Sequence, residues 1–231
     1  MTPAQAHKQQ VLAEQAAQNG EDINAAEPYR RLLATLNADR AVLSQIKAVS
    51  DKVQSKKGMV LKYLPWLEDV YQAGAPSESD PVFTTALLWL IDIGDLDTAV
   101  PYILFAIKHD MKVQDDYRRD LPDLLVEELA EQFATGADLS PENHAELLAL
   151  LSSTDDETGM HTINLTDIVR AKFFKACGER AEEVGDVQGA VGYYESALQY
   201  SDKIGVNPQH PTLCPRCVEN VAGNGEIRYF A

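Results

Sequence analysis

Apolar residues recur at three- and four-residue intervals along most of this chain, a spacing typical of amphipathic helices. The first such stripe is interrupted where Asp39 takes a seam position, and its apolar members are Tyr29, Leu32, Leu36, Leu43, Ile46, Val49 and Val53. It predicts one helix of about seven turns. Two interpretations stay open for this stripe: a packing or oligomerisation seam, and an amphipathic helix lying on its own core.

Proline, glycine and capping residues divide the rest of the chain into shorter helices. Pro65 suits a helix start and Gly74 a helix end, while Asp80 before Pro81 predicts an N-cap followed by a first-turn proline. Further helices are predicted over residues 121–133, 140–151 and 165–184. Strand signals are nearly absent before the last dozen residues, so the predicted fold class is all-α, with Trp66 and Trp89 as core residues.

One connection occurs twice. Gly94-Asp95 and the residues after it recur as Gly185-Asp186 and the residues after that pair. The glycine permits a positive φ that ends one helix, and the aspartate can cap the next. This is the chemistry of helical hairpins similar to tetratricopeptide units. Two copies do not make an array, and chance similarity of two connections stays open.

Length and composition exclude several classes of protein. The 231 residues can bury a sizeable core, and no stretch has the length and apolarity of a membrane span. The first residues lack the pattern of a secretory leader. The three cysteines are an odd number, with Cys177 far from the other two, which argues against a secreted disulfide scaffold. We expect a protein of the cytoplasm with no membrane partner.

Charge is distributed unevenly along the chain. The segment from Pro28 to Lys62 holds eight Lys or Arg residues against Asp39 and Asp51, a net charge of +6, whereas the whole chain carries −16 and the remainder therefore −22. A cationic segment of this kind can bind a polyanion such as DNA. The acidic remainder would keep the protein off DNA elsewhere or meet a basic partner. The alternative is that the charges form a solvated helix face.

Several motifs at defined spacing resemble the small terminase subunit of peduovirus-type tailed phages. The resemblance covers roughly residues 28–133 and 165–205, and the second Gly-Asp hairpin also fits. Its most specific pieces are the Leu64-Pro65-Trp66 turn and the spacing from Leu88-Trp89 to Gly94-Asp95. Its other matching residues are Tyr29, Leu32, Leu33, Ala38-Asp39-Arg40, Asp92, Ala106-Ile107-Lys108, Tyr117-Arg118-Arg119-Asp120-Leu121-Pro122 and Glu127-Glu128.

The resemblance implies a role in packaging phage DNA. Small terminase subunits form homo-oligomers, commonly rings, bind double-stranded DNA at the packaging site and regulate the large ATPase subunit. In this chain the phosphate contacts would come from Arg30, Arg31, Arg40, Lys47, Lys52, Lys56 and Lys57. Relatives often carry a basic C-terminal tail, which this chain lacks. No recognition helix can be identified from the sequence.

These features predict four regions. Residues 1–27 form a flexible N-terminal tail, and residues 28–62 a basic helical segment for DNA binding and oligomerisation. Residues 63–205 form a helical core domain, and residues 206–231 a tail that contains cysteines. A tetratricopeptide-like adaptor that binds no DNA is an alternative function for this arrangement.

The family is also described as the endonuclease subunit, so catalytic acids have to be considered. Metal-dependent cleavage of DNA needs carboxylates that converge on divalent ions. Capping explains the acids around residues 92–97, and the acids at 115–116 and 155–157 lie in predicted loops. We therefore expect no catalytic residue, and DNA cleavage by this chain is the alternative.

The last predicted region carries a metal-binding motif. Two residues separate Cys214 from Cys217, and three residues separate His210 from Cys214. Two thiolates and an imidazole are ligands of structural zinc, which closes all four tetrahedral positions. Cys177, His161 and a neighbouring subunit are the three candidates for the fourth ligand. The alternative to a zinc site is that the cysteines are ordinary reduced thiols. His7, His109 and His144 are predicted to be surface or capping residues.

Overall fold

The prediction of an all-helical protein is confirmed by the computed structural model, which describes residues 23–113 and 120–205. Within those ranges there are nine helices and no strand; one isolated antiparallel bridge joins Thr154 and His161. The helices are α1 (Ile23–Gln45), α2 (Val49–Val60), α3 (Leu64–Ala73), α4 (Pro81–Asp92), α5 (Leu96–Lys108), α6 (Leu121–Ala134), α7 (Pro141–Ser152), α8 (Asp167–Glu183) and α9 (Val187–Tyr200). None of these helices is long and apolar enough to cross a bilayer.

The chain divides into two compact units, Met1–Ser55 and Lys56–Ala231. In the first unit, Leu36 and Leu43 on α1 are buried, with 0% and 7% of their surface exposed. Asp39, which interrupts the apolar stripe between them, is buried as well. These two apolar positions of α1 are therefore shielded from solvent, whereas Tyr29 and Leu32 of the same stripe are only half-buried.

The predicted seven-turn helix is wrong, because the chain leaves helical conformation at residues 46–48. The Ser44 hydroxyl donates to the carbonyl oxygen of Ala41 at 2.7 Å, a bond that competes with the helical ladder. α2 then starts anew with the amide of Lys52 donating to the Ala48 carbonyl oxygen at 3.1 Å. Val49 is 75% exposed, so the apolar stripe does not continue onto this residue.

The capping residues predicted for α3 and α4 act as expected. Gly74 ends α3 with a φ of 65°. The Asp80 carboxylate accepts hydrogen bonds from the amides of Val82 and Phe83 at the start of α4, at 2.9 and 3.1 Å. Trp66, predicted to be a core residue, is only half-buried; its indole N–H donates to the Asp80 carboxylate at 2.8 Å.

The core of the second unit is built from two helical hairpins and the helices between them. α4 packs against α5, and α8 packs against α9, with α6 touching α4, α5 and α8. Phe83, Leu87 and Leu90 on α4 are fully buried, as is Phe173 on α8. Trp89, the other tryptophan expected in the core, is buried at 5% exposure.

The repeated Gly-Asp connection has the same local structure in both hairpins. Gly94 and Gly185 have φ angles of 77° and 80° at the ends of α4 and α8. Asp95 and Asp186 then cap α5 and α9 with their side chains. The predicted helix ends and N-caps are confirmed, whereas the likeness to tetratricopeptide units stays a prediction.

Candidate nucleic-acid interface

The basic segment lies on α1, on α2 and on the short connection between them. In the first unit Arg30 and Arg31 are exposed on α1, Arg40 is half-buried, and Lys47 is exposed in the connection. Lys52 is half-buried on α2. Because α1 buries the side that carries Leu36, its arginines are left at or near the solvent.

Two lysines of α2, Lys56 and Lys57, belong to the second unit and have different surroundings. Lys56 is bonded through Nζ to a carboxylate oxygen of Asp92, and only 17% of its side chain is exposed. Lys57 is exposed. Lys56 therefore has its charge compensated within the protein, while Lys57 does not share that partner.

The cations of the segment differ in whether they form ion pairs with the residues that the structure describes. Within the described part of the chain, no ion pair is formed by Arg30, Arg40, Lys47, Lys52 or Lys57. Arg31 interacts with another group of the protein. An unpaired cation at or near the surface keeps its charge available to a phosphate.

The described cations beyond Lys62 are mostly neutralised. Four of the seven form ion pairs, and these are Lys112–Glu78, Lys172–Glu127, Lys175–Glu179 and Arg180–Glu183. A fifth, Arg170, is buried at 1% exposure and donates to backbone carbonyls. Lys108 and Lys203 are exposed. The cationic character predicted for residues 28–62 therefore has no equal in the rest of the described chain.

The carboxylates considered for catalysis serve the local structure. Asp95 caps α5 and Asp92 holds Lys56. Asp97 accepts hydrogen bonds from the amide of Ser140 at 2.8 Å and from the Asn143 side chain at 2.7 Å, and these bonds lower the pKa of its carboxyl. No three His, Cys, Asp or Glu side chains form a metal-binding group in residues 23–113 and 120–205.

One acid of the loop between α7 and α8, Asp155, is likewise engaged with its own loop. The Asp155 carboxylate accepts from the amide and the hydroxyl of Thr158, each at 2.8 Å, and its pKa is lowered by these bonds. Asp115 and Asp116 lie outside the described residues.

His144 was expected at the surface or at a cap, and this prediction is wrong. Its ring is half-buried beside Phe133, Phe173 and Tyr193, and its Nε2 lies 3.3 Å from the Cys177 sulfur. Burial lowers the pKa of His144 and raises the pKa of the Cys177 thiol to about 12. This contact could not be predicted from helical periodicity, because the two residues stand 33 positions apart. His109 does cap the end of α5, and His7 lies outside the described residues.

The comparisons with known proteins bear first on residues 33–164, which match the model of a family described as phage small terminase subunit. That match spans more than half of the chain. The chain belongs to this family. Membership supports a role in phage DNA packaging and implies, in general terms, a partnership with DNA and the large terminase subunit.

One curated relative of this small terminase subunit matches nearly its whole length. The terminase, endonuclease subunit of Escherichia phage P2 is 28% identical over 213 residues, which are 90% of this chain and 82% of that protein. No solved structure matches this chain.

A second similarity concerns the C-terminal part of this small terminase subunit. Residues 199–220 match a family described as a zinc finger found in FPG and IleRS. Isoleucine–tRNA ligase of Haemophilus influenzae strain PittEE is 84% identical over 32 residues, and strain KW20 has a ligase that is 81% identical over the same length. Those 32 residues are 14% of this chain and 3% of each ligase.

The metal motif itself lies in the part of this small terminase subunit beyond residue 205. His210, Cys214 and Cys217 are outside the described residues, so only their residue types and sequence spacing can be compared with the ligands that a metal prefers. Two thiolates separated by two residues, with an imidazole nearby in the sequence, are a donor set that zinc prefers. The zinc-finger match to residues 199–220 agrees with that donor set and hints at bound zinc.

Proposed function

We propose that this small terminase subunit binds double-stranded phage DNA at the packaging site through residues 28–62. The observation that carries the proposal is the contrast in charge pairing. Arg30, Arg40, Lys47, Lys52 and Lys57 form no ion pair with the described residues, whereas most described cations elsewhere are paired or buried. Phosphate electrostatics of this kind give affinity without base readout.

The proposed contacts also include Arg31 and Lys56. Both already interact with other groups of the protein, Lys56 with Asp92. A phosphate would have to compete with those groups, so we expect these two side chains to contribute less than the unpaired ones.

Self-association and the large subunit complete the proposed function. The protein assembles into a homo-oligomer, most simply a ring, so that weak phosphate contacts of several copies act together on one duplex. The assembled subunit then recruits or regulates the large ATPase for genome packaging and formation of cohesive ends. Family membership supports both parts of the proposal.

DNA binding measured across salt concentrations tests the proposal against the adaptor alternative. Binding of the full chain to linear double-stranded DNA would be followed by fluorescence anisotropy between about 50 and 200 mM salt, because each phosphate contact contributes about −0.9 to the log–log slope. The seven proposed cations set a limit of about −6 for that slope per bound chain. A tetratricopeptide-like adaptor without a DNA role predicts no retention at any salt concentration.

A second candidate function is DNA cleavage by this chain itself. The printed name of the relative from Escherichia phage P2, an endonuclease subunit, favours it. Incubation of the purified chain with site-bearing DNA and Mg²⁺ would decide the matter, since metal-dependent cleavage requires the divalent ion. Cutting that is lost on Asp95→Asn or Asp155→Asn would locate the acids; an uncut substrate leaves cleavage to the large subunit.

We also propose that His210, Cys214 and Cys217 hold a structural zinc ion. Their donor chemistry and the zinc-finger match to residues 199–220 support this. Native mass spectrometry of the full chain would count both the zinc ions and the subunits in the assembly. One zinc per chain is the expected result, and a metal-free assembly would contradict it.

A further inference from the structure

The repeated Gly-Asp motif brings acidic side chains to one cavity of the second unit. Asp97 lies beside the first connection and Asp186 within the second, and both line this cavity of about 420 Å³. The first connection packs against the loop between α6 and α7, since a Cβ at Gly94 would lie 3.7 Å from the Cβ of Ala137. A volume of this size is typical of small-molecule sites. The fold therefore places both copies of the motif around a space that can hold a ligand.

Aromatic rings form part of the cavity wall. Phe133, His144 and Tyr193 line it, and the centroid of the His144 ring lies 5.6 Å from that of Phe133 and 6.0 Å from that of Tyr193. Burial lowers the pKa of His144, while burial, the Cys177 thiol and the Asp186 carboxylate raise the pKa of the Tyr193 hydroxyl. Both side chains are therefore uncharged at neutral pH, and the face of the Tyr193 ring can attract a cation.

Another ring of the cavity already holds a cation. The guanidinium of Arg180 lies 5.6 Å from the centroid of the Phe133 ring and is bonded to the Glu183 carboxylate. A ring and a carboxylate are both preferred partners of a guanidinium. Among the described residues, no cation lies over the ring of Tyr193. The Tyr193 side of the cavity therefore offers the same kind of ring without a cation from the described chain.

The carboxylates of the cavity have no cationic partner in the described part of the chain. Asp97 accepts from the amide of Ser140 at 2.8 Å, and Asp186 accepts from the amide of Gly189 at 2.9 Å; both donors are neutral. Asp138 also lines the cavity, is exposed, and forms no ion pair with the described residues. Three negative charges therefore surround one space, which favours a cation over an anion.

We propose that this cavity binds a small organic cation, an alkyl chain that carries a guanidinium or ammonium group. The charged group lies against the Tyr193 ring and donates hydrogen bonds to the carboxylates of Asp138 and Asp186, while the alkyl chain packs on the His144 ring. A metal ion is not favoured, because the described His, Cys, Asp and Glu side chains form no metal-binding group of three. The site is separate from the proposed DNA interface, since no residue of 28–62 lines the cavity.

Ligand binding by the full chain tests this proposal. Butylguanidinium is the probe, and butylurea, which has nearly the same shape and no charge, is the matched control ligand. Saturation-transfer difference NMR would measure both, since it detects weak ligands of large assemblies. We expect a Kd of about 1 mM or lower for butylguanidinium, which suits so small a ligand, and no binding of butylurea.

Substitutions in the cavity test the roles of the carboxylate and the ring. Asp138→Lys should weaken the binding of butylguanidinium by about tenfold or more, because it replaces an acceptor by a like charge. Asp156→Lys makes the same change in net charge at an exposed residue that does not line the cavity, and should bind as the unaltered chain does. Tyr193→Leu should weaken binding by about tenfold, whereas Tyr193→Phe keeps the ring and should bind normally. Circular dichroism would confirm the fold of each variant, and Asp138→Lys decides the matter if Tyr193→Leu does not fold.

A guanidinium group can come from a free small molecule or from an arginine side chain of a partner protein. The capped peptide Gly-Gly-Arg-Gly-Gly separates these sources. Peptide binding as tight as that of butylguanidinium assigns the site to a side chain, and binding of butylguanidinium alone assigns it to a free cation. The proposal is overturned if butylguanidinium does not bind at about 10 mM, if butylurea binds equally, or if Asp138→Lys binds as the unaltered chain does.

Discussion

The ammonium group of Lys56 on α2 is bonded to the carboxylate of Asp92, the last residue of α4. This pair removes one charge from the basic segment and joins two residues of the second unit. Both side chains are largely shielded from solvent, at 17% and 31% exposure. The pair therefore has two measurable consequences, one for DNA binding and one for stability.

Asp92→Asn should release Lys56 towards DNA. We expect DNA affinity at low salt to rise by about threefold, because one more cation becomes available to phosphates. Stability should fall by about 1 kcal/mol as the partly buried pair is lost. Asp69→Asn, on an exposed position of α3, makes the same change in net charge and should alter neither. Equal DNA affinities of the two variants would contradict a masked Lys56.

Arg170→Met should destabilise the second unit strongly. The substitution keeps much of the apolar stem but leaves the carbonyl oxygens of Leu151 and Ile163 without their donor. We expect a loss of about 3 kcal/mol in the free energy of unfolding, measured by urea denaturation. A variant as stable as the unaltered chain would show that the loop between α7 and α8 holds without this arginine.

The close crossing of α8 and α9 depends on Gly178. A Cβ at this position would lie 2.4 Å from an edge carbon of the Tyr194 ring, whereas one at Gly192 on α9 would meet nothing within 4 Å. Gly178→Ala should cost about 1–3 kcal/mol through overpacking. Gly192→Ala should add about 0.5–1 kcal/mol of stability, since alanine is the better helix former. The midpoint of thermal unfolding should therefore fall for Gly178→Ala and rise for Gly192→Ala. Midpoints that both rise or both fall would contradict this packing.

His144 should make the fold sensitive to mild acid. Burial lowers its pKa below 6.5, so the folded protein holds the neutral ring at pH values where the unfolded chain already binds a proton. This difference does not change stability above pH 6.5. Below that value it lowers the free energy of unfolding progressively as the pH falls. His144→Gln should reduce the loss of stability between neutral and mildly acidic pH, while His109→Gln should keep it. An identical pH dependence of all three proteins would remove His144 as the cause.

The sequence predicted the parts of this fold that local chemistry decides. Gly74, Asp80 and the two Gly-Asp pairs mark helix ends because the required φ angle or side-chain acceptor belongs to the residue itself. The break between α1 and α2 was not predicted, because the apolar spacing of the sequence does not change across it. Three residues make nearly one helical turn, so an apolar stripe keeps its phase across a three-residue interruption.

Contacts between distant residues could not be predicted in the same way. The bond between Lys56 and Asp92 and the contact of His144 with Cys177 join residues 36 and 33 positions apart. Each depends on how helices pack, which the period of a single helix does not encode. For the candidate interface, the sequence located the cationic segment, and the structure distinguished its unpaired cations from Lys56.

Reversal of two unpaired charges tests the DNA interface most directly. The double variant Lys47→Glu with Lys57→Glu changes exposed residues of the basic segment, and Lys108→Glu changes an exposed lysine of α5 as the control. Affinity for double-stranded DNA would be measured across salt concentrations, with circular dichroism to confirm the fold. We expect the double variant to bind at least about tenfold more weakly, with a salt slope smaller by about 2. The control should keep both values, whereas a double variant with the affinity and salt slope of the unaltered chain would contradict the proposed interface.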